Sequence, residues 1–313
     1  ALPILFSLIF LSLFIFFFFH KANKDTPTSF FWLSKETSII INNWFMMYFL
    51  SVVLIGTVYP IFLDGLSSQK ISVGPPFYHK LIIPFLIPFL LMMAIGPKLK
   101  WIKSNLEDKT YLIILLLFSI LLSFLIVKNF DTNFLLNTIL ISSALYLFLI
   151  TLRDFFIKKY NNLSQNIAHF GFSLLILSII FNNLFSTEII TNLKVGETFK
   201  SENTKIVFEG ISQKKEKNYQ SIVGNFSIQN SKGKIENMSP ELRIYNQPNI
   251  VTSEADIKTT LISDTFIVIN LVQNQDYFNV RYQVKPFMIW IWISVVLISF
   301  GGLISFIKKK YEK

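Results

Sequence analysis

Seven stretches of nearly unbroken apolar sequence run along the chain: residues 1–19, 38–63, 81–97, 110–127, 133–152, 163–185 and 286–306. None carries Lys, Arg, Asp or Glu in its middle, and charged loops separate them. A membrane-spanning helix needs about 20 mostly apolar residues, and backbone groups in lipid must be satisfied within their own segment. The pattern therefore predicts about seven transmembrane helices.

Between the sixth and seventh stretches the pattern changes. Residues 186–285 are punctuated by Gly, Asn, Ser and Lys, with short β-prone runs at 205–208, 221–229, 241–245, 265–272 and 277–284. In the last run Phe278, Val280, Tyr282 and Val284 alternate with Tyr277, Asn279, Arg281 and Gln283, which puts the two sets on opposite faces of a strand. Five or six strands over this length suggest a small sandwich or barrel. The expected fold is a polytopic α-helical membrane protein with a small, mostly-β extracytoplasmic domain between its last two helices. The expected division is a membrane domain at 1–185, the β domain at 186–285, and a final helix with a basic cytoplasmic tail at 286–313.

Composition supports a bilayer protein. Hydrophobic residues are 52% of the chain, charged residues only 15%, and there are 34 Phe. Soluble domains carry roughly a quarter charged residues. Charge then sets orientation. Loops 20–36, 98–109 and 153–162 and the tail 307–313 hold three, four, three and four basic residues, whereas loops 64–80 and 128–132 share only Lys70, Lys80 and Lys128. Basic loops stay on the inner side, so segment 186–285 is expected outside. The net charge of +10 resides almost entirely in the inner loops. It has a topological origin and implies no nucleic-acid partner. With no cysteine, the chain has no disulfides and no thiolate chemistry of its own. It starts at Ala1 inside an apolar stretch, which we read as the C-terminal portion of something longer or one piece of a split protein.

Three histidines are present. His20 and His79 fall at span ends and read as interfacial residues. His169 lies inside the sixth span, about six residues or roughly 9 Å from its inner end. A polar residue at that depth normally faces the protein interior with a partner. Two readings follow: an interhelical hydrogen bond, or an axial ligand to haem iron. In the run Ala168-His169-Phe170-Gly171 the small residues would leave room for a flat macrocycle. The outer loop ends in Gly74-Pro75-Pro76, which reads as a rigid turn or as a docking point for a partner. Trp290 and Trp292 sit near the outer end of the last span, as an interfacial aromatic belt or as packing against a haem.

Several segments, in order, resemble the CcmF family, the haem lyase component of System I cytochrome c biogenesis. They are Leu33-Ser34-Lys35-Glu36 with Ile41-Asn42-Asn43-Trp44, Gly56-Thr57-Val58-Tyr59-Pro60, Lys70-Ile71-Ser72-Val73-Gly74-Pro75-Pro76-Phe77 and Gly96-Pro97-Lys98-Leu99-Lys100-Trp101. Ala168-His169-Phe170-Gly171, Gln247-Pro248 with Thr252, Glu254 and Ala255, and Lys285-Pro286-Phe287 with Trp290, Trp292, Gly301 and Gly302 complete the set. The resemblance covers roughly the C-terminal half of the family's pattern. It implies a membrane-embedded haem b with His169 as one of two axial histidines, and thus as the ligand of the haem iron. It also implies a role in attaching haem covalently to apocytochrome c. The implied partners are the N-terminal CcmF portion, a CcmH-type apocytochrome-binding subunit, the holo-CcmE haem chaperone, apocytochrome c and the lipid bilayer. The implied location is the bacterial inner membrane, or the mitochondrial one if organelle-encoded. The family's tryptophan-rich WWD segment, its outer haem-presenting histidines and its second membrane histidine have no counterpart in this sequence, and His79 is not carried over as a ligand. The alternatives are a non-catalytic scaffold subunit and a transporter fragment.

Overall fold

A computed structural model describes residues 11–12, 31–66, 71–102, 109–130, 133–157, 163–201, 204–230, 233, 235–272 and 276–311. Six helices are long: α1 (Lys35–Leu66), α2 (Pro75–Ile95), α3 (Lys109–Val127), α4 (Phe134–Ile157), α5 (Leu163–Phe185) and α6 (Met288–Tyr311). Each contains a stretch long and apolar enough to cross a membrane. They match six of the seven expected spans. The first, 1–19, and His20 after it lie outside the described residues apart from Leu11 and Ser12.

The helix starts follow local chemistry. The Ser34 hydroxyl accepts the Thr37 N–H at 3.2 Å and caps α1. The Gly74-Pro75-Pro76 run is not a free-standing turn. Gly74 is the N-cap of α2 and both prolines occupy its first turn, where a missing N–H costs nothing. Helix α1 then closes on α2: Tyr48 donates its hydroxyl to the Leu81 carbonyl at 3.0 Å. A Cβ on Gly56 would come within 2.7 Å of the Tyr78 hydroxyl oxygen, so a larger residue there would have to displace that ring.

Helix α4 is the centre of the bundle. Half of its most apolar stretch is buried, against 11% for α1 and α6. Ile141, Ala144, Leu147 and Ile150 of α4 seal against Leu90 and Ala94 of α2 and Leu177 of α5. Buried hydroxyls bond back to carbonyls of their own helix, Ser119 to Leu115, Ser142 to Ile139 and Ser143 to Leu140. Thr151 and Ser173 join α4 to α5 at 2.7 Å. Small residues bring α5 against α6, as expected where lipid gives helices no hydrophobic drive to associate. A Cβ on Gly301 would sit 2.8 Å from the Ala168 Cβ and N and the Ser164 carbonyl oxygen. One on Gly171 would meet the Ile298 N and the Leu297 Cβ at 3.0 Å.

Among the described residues ten strands lie between α5 and α6: β1 (Thr187–Leu193), β2 (Thr198–Lys200), β3 (Thr204–Lys215), β4 (Tyr219–Asn230), β5 (Ile235–Met238), β6 (Glu241–Asn246), β7 (Asn249–Glu254), β8 (Asp256–Thr259), β9 (Ser263–Leu271) and β10 (Phe278–Pro286). They form a four-stranded sheet, β1-β10-β9-β8, and a larger sheet, β2-β3-β4-β6-β7, with β5 paired to β4. All these neighbouring strands pair antiparallel, and β3 carries a bulge between Phe208 and Gly210. Between the sheets lie Leu193, Ile206, Phe208, Phe226, Ile228, Met238, Ile267, Ile269, Val280 and Tyr282. The Phe208 and Phe226 rings stack at 4.4 Å. Burial pushes the Tyr282 phenol up to about 12, which keeps it neutral in the core.

The five expected strands fall on β3, β4, β6, β9 and β10, and the alternation of the last is observed: Val280 and Tyr282 are buried, with Phe278 and Val284 packed beside them. The other five are short or lie at sheet ends, where few side chains need be apolar.

The strand that leaves α5 and the strand that enters α6 pair with each other, Thr187 opposite Val284. The joint is hydrogen-bonded. Asn182 Nδ2 donates to the Pro286 carbonyl at 2.6 Å, the Phe287 N–H to the Ile262 carbonyl at 2.8 Å, and Trp290 Nε1 to the Leu261 carbonyl at 3.0 Å. Phe287 makes the strand-to-helix corner with φ 62° and lays its ring 5.6 Å from that of Phe181.

Candidate functional site

The polar chemistry of the bundle gathers at the end opposite the strands. There the 3-10 turn Gly96–Lys98 follows α2, and α1 and α5 begin. Lys98 of this turn reaches α4, where its Nζ lies 2.9 Å from both Asp154 carboxylate oxygens. The two side chains are only 13% and 16% exposed, which makes this pair stronger than a surface bridge. Asn166 of α5 donates to the Asp154 backbone carbonyl at 3.0 Å. The segment after α2 is tied to α1. The Lys35 N–H donates to the Lys100 carbonyl at 3.0 Å, and Glu36 accepts the Ile102 N–H on both oxygens, at 3.0 and 3.1 Å. Ile102 sits at φ 68°, a left-handed conformation held by this carboxylate.

His169 faces this polar end. It lines a recess with Ile150, Thr151, Asp154 and Asn166. It also lines a cavity of about 400 Å³ bounded by Lys35, Ser38, Ile39, Asn42, Met92, Met93, Gly96, Pro97 and Gln165. Among the described residues the imidazole has no hydrogen-bond partner. The interhelical hydrogen bond expected as one reading is therefore not found there. Ala168 and Gly171 turn away from the cavity and pack on α6, so these small residues serve helix contact and do not make room beside His169. Space beside the imidazole lies instead between α1, α2 and α5, whose side chains line the cavity.

A half-buried imidazole with a free nitrogen, at the edge of a cavity with Ile, Met and Pro walls, fits one axial ligand of a haem. Among the described residues no cluster of His, Cys, Asp and Glu could hold a bare metal ion.

The other sequence candidates lie elsewhere. Gly74, Pro75 and Pro76 are at the strand-side end of α2, and His79 is exposed one turn on. Trp290 is bonded to the Leu261 carbonyl at the joint with the sandwich, and Trp292 points outward at 65% exposure. Lys35, Asn42, Gly96 and Pro97 were not singled out as site residues. The signal was present nonetheless: they belong to the same short motifs that carry the resemblance, and those motifs converge on the cavity that His169 lines.

Residues 184–286 match the family description "CcmF C-terminal beta-sandwich". Over 295 residues the chain is 28% identical to a cytochrome c-type biogenesis protein CcmF of Pseudomonas fluorescens, covering 89% of this chain and 44% of the relative. It is 24% identical to CcmF of Escherichia coli K12, covering 90% and 45%. A solved structure titled "Cytochrome c Heme Lyase CcmF" shares the fold with a TM-score of 0.69 at 19% identity, over 87% of this chain and 46% of that one. The chain thus spans about half the length of the curated relatives it matches. In sequence and in fold it is similar to the C-terminal part of CcmF proteins.

Proposed function

We propose that the chain acts in cytochrome c maturation as the C-terminal portion of a haem lyase, with His169 as one axial ligand of a membrane-embedded haem b. The observation that carries this reading is the His169 imidazole, without a hydrogen-bond partner among the described residues and opening onto the cavity between α1, α2 and α5, in a chain similar to CcmF over most of its length.

The chain's residues divide the work. His169 supplies a nitrogen ligand. The apolar walls, Ile39, Met92 and Met93, would pack against a bound haem and limit its contact with water. The Lys98–Asp154 pair ties the turn after α2 to α4, beside the recess that His169 lines. A haem bound there would supply one-electron chemistry for keeping the substrate haem reduced. The overall reaction is addition of an apocytochrome thiol across a haem vinyl group, S–H across C=C, forming a thioether. This chain has no cysteine, so the thiols come from the apocytochrome.

The assembly would include the N-terminal CcmF portion, which would bring the second axial ligand and the platform for substrate haem. It would also include a CcmH-type subunit, holo-CcmE and apocytochrome c. The strands would face the periplasm or intermembrane space from an inner membrane. Pro75, Pro76 and Trp292 are exposed at the strand-side end of the bundle, where partners would approach.

The test is to co-express the chain with an N-terminal partner and record reduced absorption spectra. His169→Ala should abolish the b-type signal and His79→Ala should keep it. A normal signal in His169→Ala would sink the assignment.

A further inference from the structure

Among the described residues, the His169 cavity holds a cation with no ion-pair partner beside an imidazole with no hydrogen-bond partner. Lys35, Asn42, Gln165 and His169 all line it, and among the described residues none of the four side chains has a hydrogen-bond or ion-pair partner. The neighbouring charges are already paired. Lys98 is held by Asp154, and Glu36, adjacent to Lys35, is engaged with the Ile102 N–H. The Lys35 ammonium lies 5.3 Å from the centre of the exposed Trp101 ring. A half-buried ammonium so placed is best satisfied by an anion that accepts charge-assisted hydrogen bonds. The two amides beside it can donate to the same anion. Apart from Ser38, the remaining walls are apolar, with Ile39, Met92, Met93 and Pro97 the largest side chains. The cavity therefore suits a molecule with a flat apolar body, a metal that takes imidazole, and a carboxylate at one edge.

Resting on the haem reading of His169, we propose that Lys35, assisted by Asn42 and Gln165, receives a carboxylate of the porphyrin whose iron His169 ligates. Lys35 is then an orienting residue. It holds one edge of the ring at the end of the bundle away from the sandwich, and the first turn of α1, capped by Ser34, is the platform that aims it.

The experiment uses the full chain in detergent, titrated with ferric protoporphyrin IX and with its dimethyl ester, which has no free carboxylate. The readout is the ratio of the two affinities. In Lys35→Gln the free acid should bind roughly tenfold more weakly while the ester is unchanged, in line with the loss of one charge-assisted hydrogen bond. Lys35→Arg should restore the parent ratio. A Lys35→Gln ratio equal to the parent's, whatever the absolute affinities, overturns the proposal. The His169→Ala arm separates the two readings. Loss of the imidazole-ligated Soret band with both porphyrins keeps the ligand assignment even if Lys35 proves irrelevant. Retention of that band overturns the ligand assignment itself.

Discussion

The sandwich and the helix bundle handle apolar residues in opposite ways. The sandwich seals them: Ile206, Phe208, Phe226, Ile228, Ile267 and Val280 are at most 1% exposed, between two sheets whose outer faces carry the charge. The bundle turns many of them outward, as with Trp44, Met47, Leu50, Phe62, Leu117 and Phe306. It buries hydroxyls and glycines where helices meet. The difference follows from the solvent. Water drives apolar side chains inward, whereas lipid is as apolar as leucine, and helices associate through close packing and polar contacts. One consequence concerns function. A sealed apolar core has no vacancy for chemistry, while a bundle can leave a polar-edged gap between helices, and His169 lies at such a gap.

The largest expected effect lies in the sealed core. Phe226→Ala removes a ring that stacks on Phe208 and is 1% exposed. It should destabilise the sandwich by about 3–5 kcal/mol. Denaturant unfolding followed by hydrogen exchange in β3 and β4 measures this, and the helices should keep their protection. Equal loss of protection in α4 would mean that the two regions unfold as one unit, and the contrast drawn above would fail.

The next effect lies in the bundle and is smaller. In Gly301→Ala the new Cβ would lie 2.8 Å from two backbone atoms of α5, the Ala168 N and the Ser164 carbonyl oxygen, which move only if the helix moves. The expected cost is about 1–3 kcal/mol. Because Ala168 adjoins His169, the haem-binding spectrum should also shift. The neighbouring Gly302→Ala meets nothing within 4 Å and should be silent. Identical behaviour of the two variants would remove the case for small-residue packing between α5 and α6.

The same contrast explains what the sequence could and could not disclose. Hydropathy located six helices because a bilayer imposes one length and one composition. It misjudged an end where charge is buried. Span 133–152 stops at Arg153, but α4 continues to Ile157 because Lys98 neutralises Asp154 there. Strand alternation found β10, which has one buried face. It missed β1, β2, β5, β7 and β8, whose burial is light or one-ended. His169 was legible as a polar residue at membrane depth. That its cavity is completed by Lys35 and Asn42, more than a hundred positions away in sequence, depends on how α1 packs on α2 and α5, and no local pattern encodes it.

The smallest effect sits on the seam between the two regions. Glu188 of β1 accepts hydrogen bonds from Gln283 Nε2 at 2.9 Å and from Arg281 Nε, both on β10. The Gln283 and Arg281 hydrogen bonds hold its carboxyl below the usual value of 4.5. A carboxyl lowered on folding contributes stability that is present above 4.5 and is lost as pH falls through the folded value. The group is solvent-exposed, so its contribution is screened and small. Glu188→Gln cannot titrate. The stability difference between parent and variant should therefore be constant near neutral pH and shrink below 4.5. Hydrogen exchange read separately in β1–β10 and β4–β6 checks this, and a pH-independent difference would show that the carboxylate's charge is irrelevant. Because β1 and β10 are the strands that leave and re-enter the bundle, acid should loosen this seam before it affects either core. The seam, stapled by polar contacts, would then be the part of the molecule most responsive to acid.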